Sequence, residues 1–200
     1  MCLLAAGIVW FGQGIFDRPS LAFEVGTPAE GHRAQQKLFE LAGGFTPHRR
    51  DRSRSGITLS ERELNALLTR HLPEALPLAD GGIHLVGDGV VEITGRLPFL
   101  TLLGDSVGSL SKLLPERWSP GPVWLRLRGH VRLETAAGRS DARRLRLDPE
   151  SVRLGSRRVP VAVLSMLPAG PLVRATLRPV PQWIEGLTIE PGRLTIVRRP

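Results

Sequence analysis

One cysteine, no tyrosine and only two lysines set the first limits on this chain. Cys2 stands alone, which excludes an internal disulfide and any metal site built from several thiolates. Only Met1 precedes it, so it also lacks the lipobox that marks a lipoprotein. With no disulfide framework to read, redox chemistry says nothing about compartment. Lys37 and Lys112 are the only lysines beside a large excess of arginine. Together with the missing tyrosine and the abundant glycine, proline, leucine and alanine, that skew matches the codon bias of a GC-rich genome. The net charge of +8 and the pI near 11.3 therefore argue for a polyanionic partner with only part of their usual weight. At 200 residues and 42% hydrophobic content, the chain is long enough for one ordinary core, and we read one domain plus a tether.

Charge is also missing from the first sixteen residues, MCLLAAGIVWFGQGIF, before Asp17, Arg18 and Pro19. A helix of that length spans about 24 Å, short of the roughly 20 residues a full crossing needs. It has no basic n-region and no A-x-A-like cleavage site, so it is an imperfect signal peptide as well. The expectation is a signal anchor or truncated signal peptide over residues 1–19, incomplete as written. Everything after Pro19 is then extracytoplasmic, on the periplasmic side of a bacterial membrane.

Residues 20–56 read as a helix and a polar linker. Thr27-Pro28-Ala29-Glu30 is a capping box with proline at the first helical position, and the helix it starts should end at Gly43-Gly44. Thr46 to Gly56, TPHRRDRSRSG, has no apolar residue. Residues 57–200 read as an α+β domain. Ser60-Glu61-Arg62-Glu63 is a second capping box, with Leu59 and Leu64 placed as a hydrophobic staple; Leu64, Leu67 and Leu68 form one helical face and Pro73 should stop the helix. From Ile83 the period becomes two, and Asp88-Gly89 predicts a tight hairpin into Val91, Ile93, Gly95 and Leu97. Pro98 to Trp118 is leucine-rich and helical in pattern. Val123 to Glu134 alternates strictly: Val123, Leu125, Leu127, Val131 and Leu133 on one face, Trp124, Arg126, Arg128, His130 and Arg132 on the other. A further hairpin is expected around Asp148-Pro149, then a helix from Pro160 through Leu164, Leu167, Leu172 and Leu177. Leu187 and Ile189 should pair with Leu194 and Ile196 across a Pro191-Gly192 type II turn. The fold class expected is α+β: a curved, mostly antiparallel sheet of about six strands wrapped against two to four helices.

Catalytic equipment is hard to find. Gly104-Asp105-Ser106-Val107-Gly108 matches the nucleophile elbow of serine hydrolases, but those enzymes place their histidine last and His130 is the one histidine after Ser106. Ser109-Leu110-Ser111-Lys112 lacks its S-D-N and K-T-G companions. His32, His48, His71, His84 and His130 are scattered, none with a histidine or carboxylate at clamp spacing, so neither a metal nor a cofactor is expected. No glycine-rich phosphate loop and no carboxylate pair for acid–base work stands out. Arg126, Arg128, Arg132, Arg144, Arg146 and Arg153 could share one positive sheet surface, yet Trp124 is the single aromatic residue on that face. Single-strand nucleic-acid readers usually add several stacking rings, so a solvated or headgroup-facing sheet is favoured and nucleic acid is not an expected partner.

The order of parts, an anchor, a helix, ITLSERELNALLTRHL, a long meander, VRLGSRRVPVAVL and a closing WIEGLTIEPGRLTI hairpin, resembles a loose group of bacterial envelope proteins of unknown function. Their domains look like half of a tubular lipid-binding (TULIP-type) fold, and the resemblance covers most of Ile57 to Pro200. It implies a curved sheet around a long helix with an apolar groove for acyl chains. On that basis Leu100, Leu103, Leu110, Leu113, Leu164 and Leu167 are candidate groove residues, with Arg126, Arg128 and Arg132 facing headgroups. The function expected is a non-enzymatic, membrane-anchored module that binds lipid or another amphipathic ligand. The alternatives are a structural or protein-interaction domain of the envelope and, more remotely, a small hydrolase using Ser106.

Overall fold

The structure, a computed structural model, describes residues 14, 16–20, 23–43, 56–75, 78–98, 122–135, 143–160 and 177–199. The described residues form an α+β fold of two helices and two antiparallel sheets, the larger one curved and unclosed. Helix α1 is Pro28–Ala42 and α2 is Glu61–Ala75; the strands are β1 Gly56–Ser60, β2 Ala79–Gly87, β3 Val90–Pro98, β4 Pro122–Thr135, β5 Arg143–Leu154, β6 Arg157–Val159, β7 Leu177–Val180, β8 Ile184–Glu190 and β9 Arg193–Arg198. The larger sheet runs β2-β3-β4-β5-β6, with β7 also on β5; the smaller runs β1-β9-β8.

Both helices start where the capping boxes place them. Thr27 caps α1, accepting from the Glu30 amide while the Glu30 carboxylate accepts from the Thr27 amide at 2.7 Å. Ser60 and Glu63 repeat the exchange at α2, at 3.0 and 3.2 Å. Leu59 and Leu64 belong to the same apolar cluster, as a staple requires. The helix α2 continues two residues beyond Pro73, contrary to the expected stop; so near the helix end, proline removes one amide donor from a turn that is already losing partners.

The helices are tied to each other and to the smaller sheet by charge-assisted bonds. Lys37 Nζ donates to both Glu63 oxygens, at 2.8 and 2.9 Å, and to the Thr58 carbonyl. Arg62 pairs with Glu30 at 3.1 Å, and Arg198 donates to the Leu41 carbonyl at the C-terminal end of α1.

Asp88 and Gly89 both take positive φ, +52° and +78°, as a two-residue β2–β3 turn requires. At the β8–β9 turn Gly192 has φ +70°, the type II position, and Leu187 and Ile189 face Ile196 and Leu194 as the sequence predicts. Strand β4 follows its alternation: Val123, Leu125 and Leu127 are buried, whereas Arg132 and Glu134 are exposed.

Two further expectations fail. Arg143–Leu154 is one continuous strand along β4, not a hairpin around Asp148-Pro149; the turn comes later, at Gly155-Ser156. Pro149 has no N–H to give, and β5 accommodates it because β6 pairs with residues 152–154 and β7 with residues 143–146, leaving the stretch between them without a second neighbour among the described residues. A bulge opposite Gly129 absorbs the misfit: Arg128 faces Ser151 and Gly129 faces Pro149. Leu177, expected in a helix, opens strand β7 instead. Pro98 ends β3, and the rest of the leucine-rich run to Trp118, like residues 161–176, lies outside the described residues.

The core forms two connected clusters. One joins Leu59, Leu85, Val91, Ile189, Leu194 and Ile196 to Ala34 and Leu41 of α1; the other joins Leu97, Leu125, Leu127, Val152 and Val159 to Leu78. Ile93 and Leu147 pack against both.

Candidate functional site

The larger sheet has one apolar face and one face rich in arginine, and pairing register decides which arginines meet. Arg126 on β4 stands opposite Arg153 on β5, and Arg153 opposite Arg158 on β6. Three cations therefore share one row across three strands. Directly opposed like charges on a sheet repel, so the positions of their carboxylate partners matter.

Five arginines of this sheet have one: Arg96, Arg126, Arg128, Arg132 and Arg146. Arg126 Nε lies 3.2 Å from Glu92 Oε1, without the alignment of a hydrogen bond, and its guanidinium also donates to the Ser20 carbonyl. Of the three arginines read as headgroup-facing, Arg126 is thus the most enclosed, its side chain 18% exposed. Arg128 reaches Glu150 at 3.4 Å, and the same carboxylate lies 2.9 Å from His130 Nδ1. Arg132, the most open of the three, has Asp148 at 3.9 Å. Arg146 bonds Asp148 at 2.7 Å and reaches Glu134 at 3.3 Å; the Asp148 hydrogen bond leads in holding its guanidinium above the usual arginine range. Arg96 pairs with Asp80. Arg153 and Arg158 are both exposed, and among the described residues no carboxylate pairs with either.

The β5–β6 hairpin that carries them also receives the start of the chain. Ser156 donates to the Gly14 carbonyl from its amide at 2.8 Å and from Oγ at 3.1 Å, and Oγ lies 2.8 Å from Asp17 Oδ2. Phe16 between them is one of the few large exposed apolar side chains among the described residues. From there the chain crosses the polar face of the sheet. Arg18 lies 5.7 Å from the Trp124 ring centre and Arg96 5.8 Å from it, two cations on one aromatic surface. The strap covers Trp124, which is buried, so this ring is not presented for stacking. Further on, Phe23 fills the space that a Cβ on Gly82 would need.

The strap ends on a buried polar clamp. Glu61 Oε1 accepts from the Glu24 amide at 3.0 Å, while Oε2 accepts from the Leu85 amide and lies 2.9 Å from His84 Nδ1. One turn along α2, Asn65 Nδ2 donates to the Glu24 and Ile83 carbonyls, and Asn65 Oδ1 accepts from the Ile83 amide at 2.7 Å. The helix thus supplies the hydrogen bonds that another strand would give the outer edge of β2. Residues 61 and 65, four apart on a helix, were the available signal, but a capping reading accounts for Glu61 without any strand beside it.

The apolar candidates Leu100, Leu103, Leu110, Leu113, Leu164 and Leu167, with Ser106, lie outside the described residues. Among the described residues no helix is long and apolar enough to cross a membrane, and no three histidine, cysteine or acidic side chains come together as metal ligands. No protein-family model, no curated protein and no solved structure matches the chain.

Proposed function

We propose that this protein is a non-enzymatic module anchored at the outer side of a bacterial membrane, binding lipid or another amphipathic ligand in an apolar groove with its arginine hairpin against headgroups. The observation that carries this reading is the seat of Gly14 on Ser156, between Arg153 and Arg158 on the β5–β6 hairpin. The charge-free stretch meets the domain beside two arginines that no described carboxylate pairs, with Phe16 exposed at the junction.

Two attachments then act together. One is the uncharged stretch that ends at Phe16, which can enter the hydrocarbon layer. Arginines held within a Debye length of an anionic surface each add about 1 kcal/mol of attraction. The groove rests on the resemblance to tubular lipid-binding domains and on the leucines that carry it. Native mass spectrometry of the full chain after mild extraction should find co-purified lipid. A lipid-free chain that also fails to float with anionic vesicles overturns the proposal.

A second reading, a scaffolding domain of the envelope, is favoured by one feature: among the described residues the stretch of β5 between β6 and β7 has no second neighbour, which leaves it able to receive a partner's strand. Pro149 in that stretch shortens the ladder it could offer. Cross-linking in cells separates this reading by recovering one specific envelope protein in place of lipid.

A further inference from the structure

We infer that Arg153 and Arg158 form a two-arginine clamp for a phosphate group, the point at which an anionic lipid headgroup is held. The inference rests on the proposed function for its lipid and on geometry for its phosphate.

Arg153 and Arg158 are a directly opposed cross-strand pair, which puts their Cβ atoms about 5 Å apart. Arg126 extends the row on the other side, but its charge is already met by Glu92. Elsewhere on this sheet several arginines have a partner at hand: Asp80 for Arg96, Glu150 for Arg128, Asp148 for Arg132 and Arg146, the Ile184 and Glu185 carbonyls for Arg143, and Glu134 in register opposite Arg144. The Arg153–Arg158 pair departs from that pattern on a hairpin of only three paired positions, where repulsion should otherwise have been relieved by an acid. An anion supplied from outside provides the missing charge.

Space for it is adjacent. A cavity of about 340 Å³ opens where β6 ends, lined by Glu150, Ser151, Arg158, Val159 and Pro160. Its walls offer a guanidinium, a hydroxyl donor and apolar surface from Val159 and Pro160. Glu150 is occupied by Arg128 and His130, which tempers its repulsion of an incoming anion. Two guanidinium forks can bracket a phosphate through several charge-assisted bonds, a geometry lysine does not supply. A nucleic-acid phosphate is disfavoured because the aromatic ring on this face, Trp124, lies buried beneath the strap.

The test uses the full chain and three proteins: wild type, R153Q/R158Q, and R132Q as an exposed arginine with an acid partner. Partitioning is measured on phosphatidylcholine vesicles with and without about one-third phosphatidylglycerol, and inorganic phosphate is titrated by calorimetry. The expected result is about thirty-fold weaker partitioning of R153Q/R158Q onto anionic vesicles, a much smaller loss for R132Q, and a melting temperature unchanged or raised in the double variant because repulsion is relieved. Equal vesicle binding by wild type and double variant overturns the clamp and leaves the proposed function standing. Arginine-dependent phosphate binding without vesicle binding keeps the clamp and removes the lipid. Tighter binding to a single-stranded oligonucleotide than to anionic vesicles at the same salt overturns the lipid assignment.

Discussion

Replacing Asn65 by leucine tests whether helix α2 really does the work of a neighbouring strand. The side chain is 3% exposed and makes three hydrogen bonds: to the Glu24 carbonyl at 2.9 Å, to the Ile83 carbonyl at 2.8 Å and from the Ile83 amide at 2.7 Å. Leucine has the same branched heavy-atom skeleton, with bulkier methyl ends, and a better helix propensity, so the substitution removes the polar groups while keeping the shape of the side chain. Glu24 is exposed and its carbonyl can turn to water. The Ile83 N–H and C=O are partly buried at the outer edge of β2 and lose their partners. Each stranded group costs about 1–3 kcal/mol, and partial burial keeps both near the lower half of that range. After about 0.5 kcal/mol returned by helix propensity, the net loss should be about 2–3 kcal/mol, a large share of ordinary domain stability.

Urea unfolding should show that loss as a lower midpoint at unchanged slope, with a melting temperature lower by roughly 5–10 °C for a chain of this size. Amide exchange supplies the local readout. Ile83 should lose protection, while Leu85, held by Glu61 at 2.9 Å, should keep most of its own. A loss below about 0.5 kcal/mol, the range of ordinary surface changes, refutes the edge-capping argument. So does unchanged protection at Ile83.

Three further outcomes follow from other parts of the fold. For Glu63, burial alone would raise the carboxyl, but the hydrogen bonds from Lys37 and Ser60 outweigh it and hold the group below the usual carboxylate range. Its stabilisation is therefore present above the unfolded-state value near 4.5 and lost as pH falls through the lower folded value; E63Q should flatten that part of the stability profile in urea melts from pH 6 down to about pH 3 and cost about 1 kcal/mol at neutral pH. G129A should cost at least about 2 kcal/mol, since a Cβ there overlaps the Asp148 carbonyl and comes within 2.9 Å of Pro149 Cα on β5; chemical denaturation at wild-type level means that the bulge is looser than described. W124A removes the ring between Arg18 and Arg96, and the strap should become cleavable near Arg18 in limited proteolysis while the sheet stays intact; an unchanged cleavage rate shows that Gly14 and Glu24 hold the strap without the tryptophan.

What could be read from the sequence was what neighbouring residues settle among themselves. Both capping boxes, the Asp88-Gly89 turn, the Pro191-Gly192 turn and the alternation of β4 each need only a few adjacent positions to be specified, and each is realised. Pro149 misled because a proline beside an aspartate usually signals a turn; whether a strand tolerates it depends on β6 and β7, which stop short of it on either side. The pairing of β1 with β9 joins Thr58 to Thr195 across 137 positions, and the five residues GITLS carry no sign of that partner. On the arginine face, alternation placed Arg126, Arg128, Arg132 and Arg153 together, but only the register adds Arg158 to the row and shows which of them have acids. The seat of Gly14 on Ser156 had no sequence signature, because both of its ends are backbone groups or a hydroxyl that any hairpin could present.

The edges of the larger sheet bring these points to bear on function. An exposed edge is a liability for a protein crowded at a surface, since unpaired amides invite other strands. At the middle of β2 the chain closes the edge: Asn65 takes Ile83, Glu61 takes the Leu85 amide, and the Gly192 amide of the β8–β9 turn donates to the Leu85 carbonyl at 2.9 Å. The opposite edge is treated differently. There β6 covers only three residues of β5, the next stretch holds a proline and a bulge, and Arg158, which no described carboxylate pairs, lines the cavity with Arg153 opposite it. Charge and a proline keep strands away as effectively as a helix does, but they leave the surface open to a small anion. The start of the chain is fastened to this open edge, at Ser156, and not to the sealed one. Under the proposed function, a tether placed there would turn the arginines towards the membrane it enters, so the proposal puts the membrane-facing side at the β5–β6 hairpin rather than at α2.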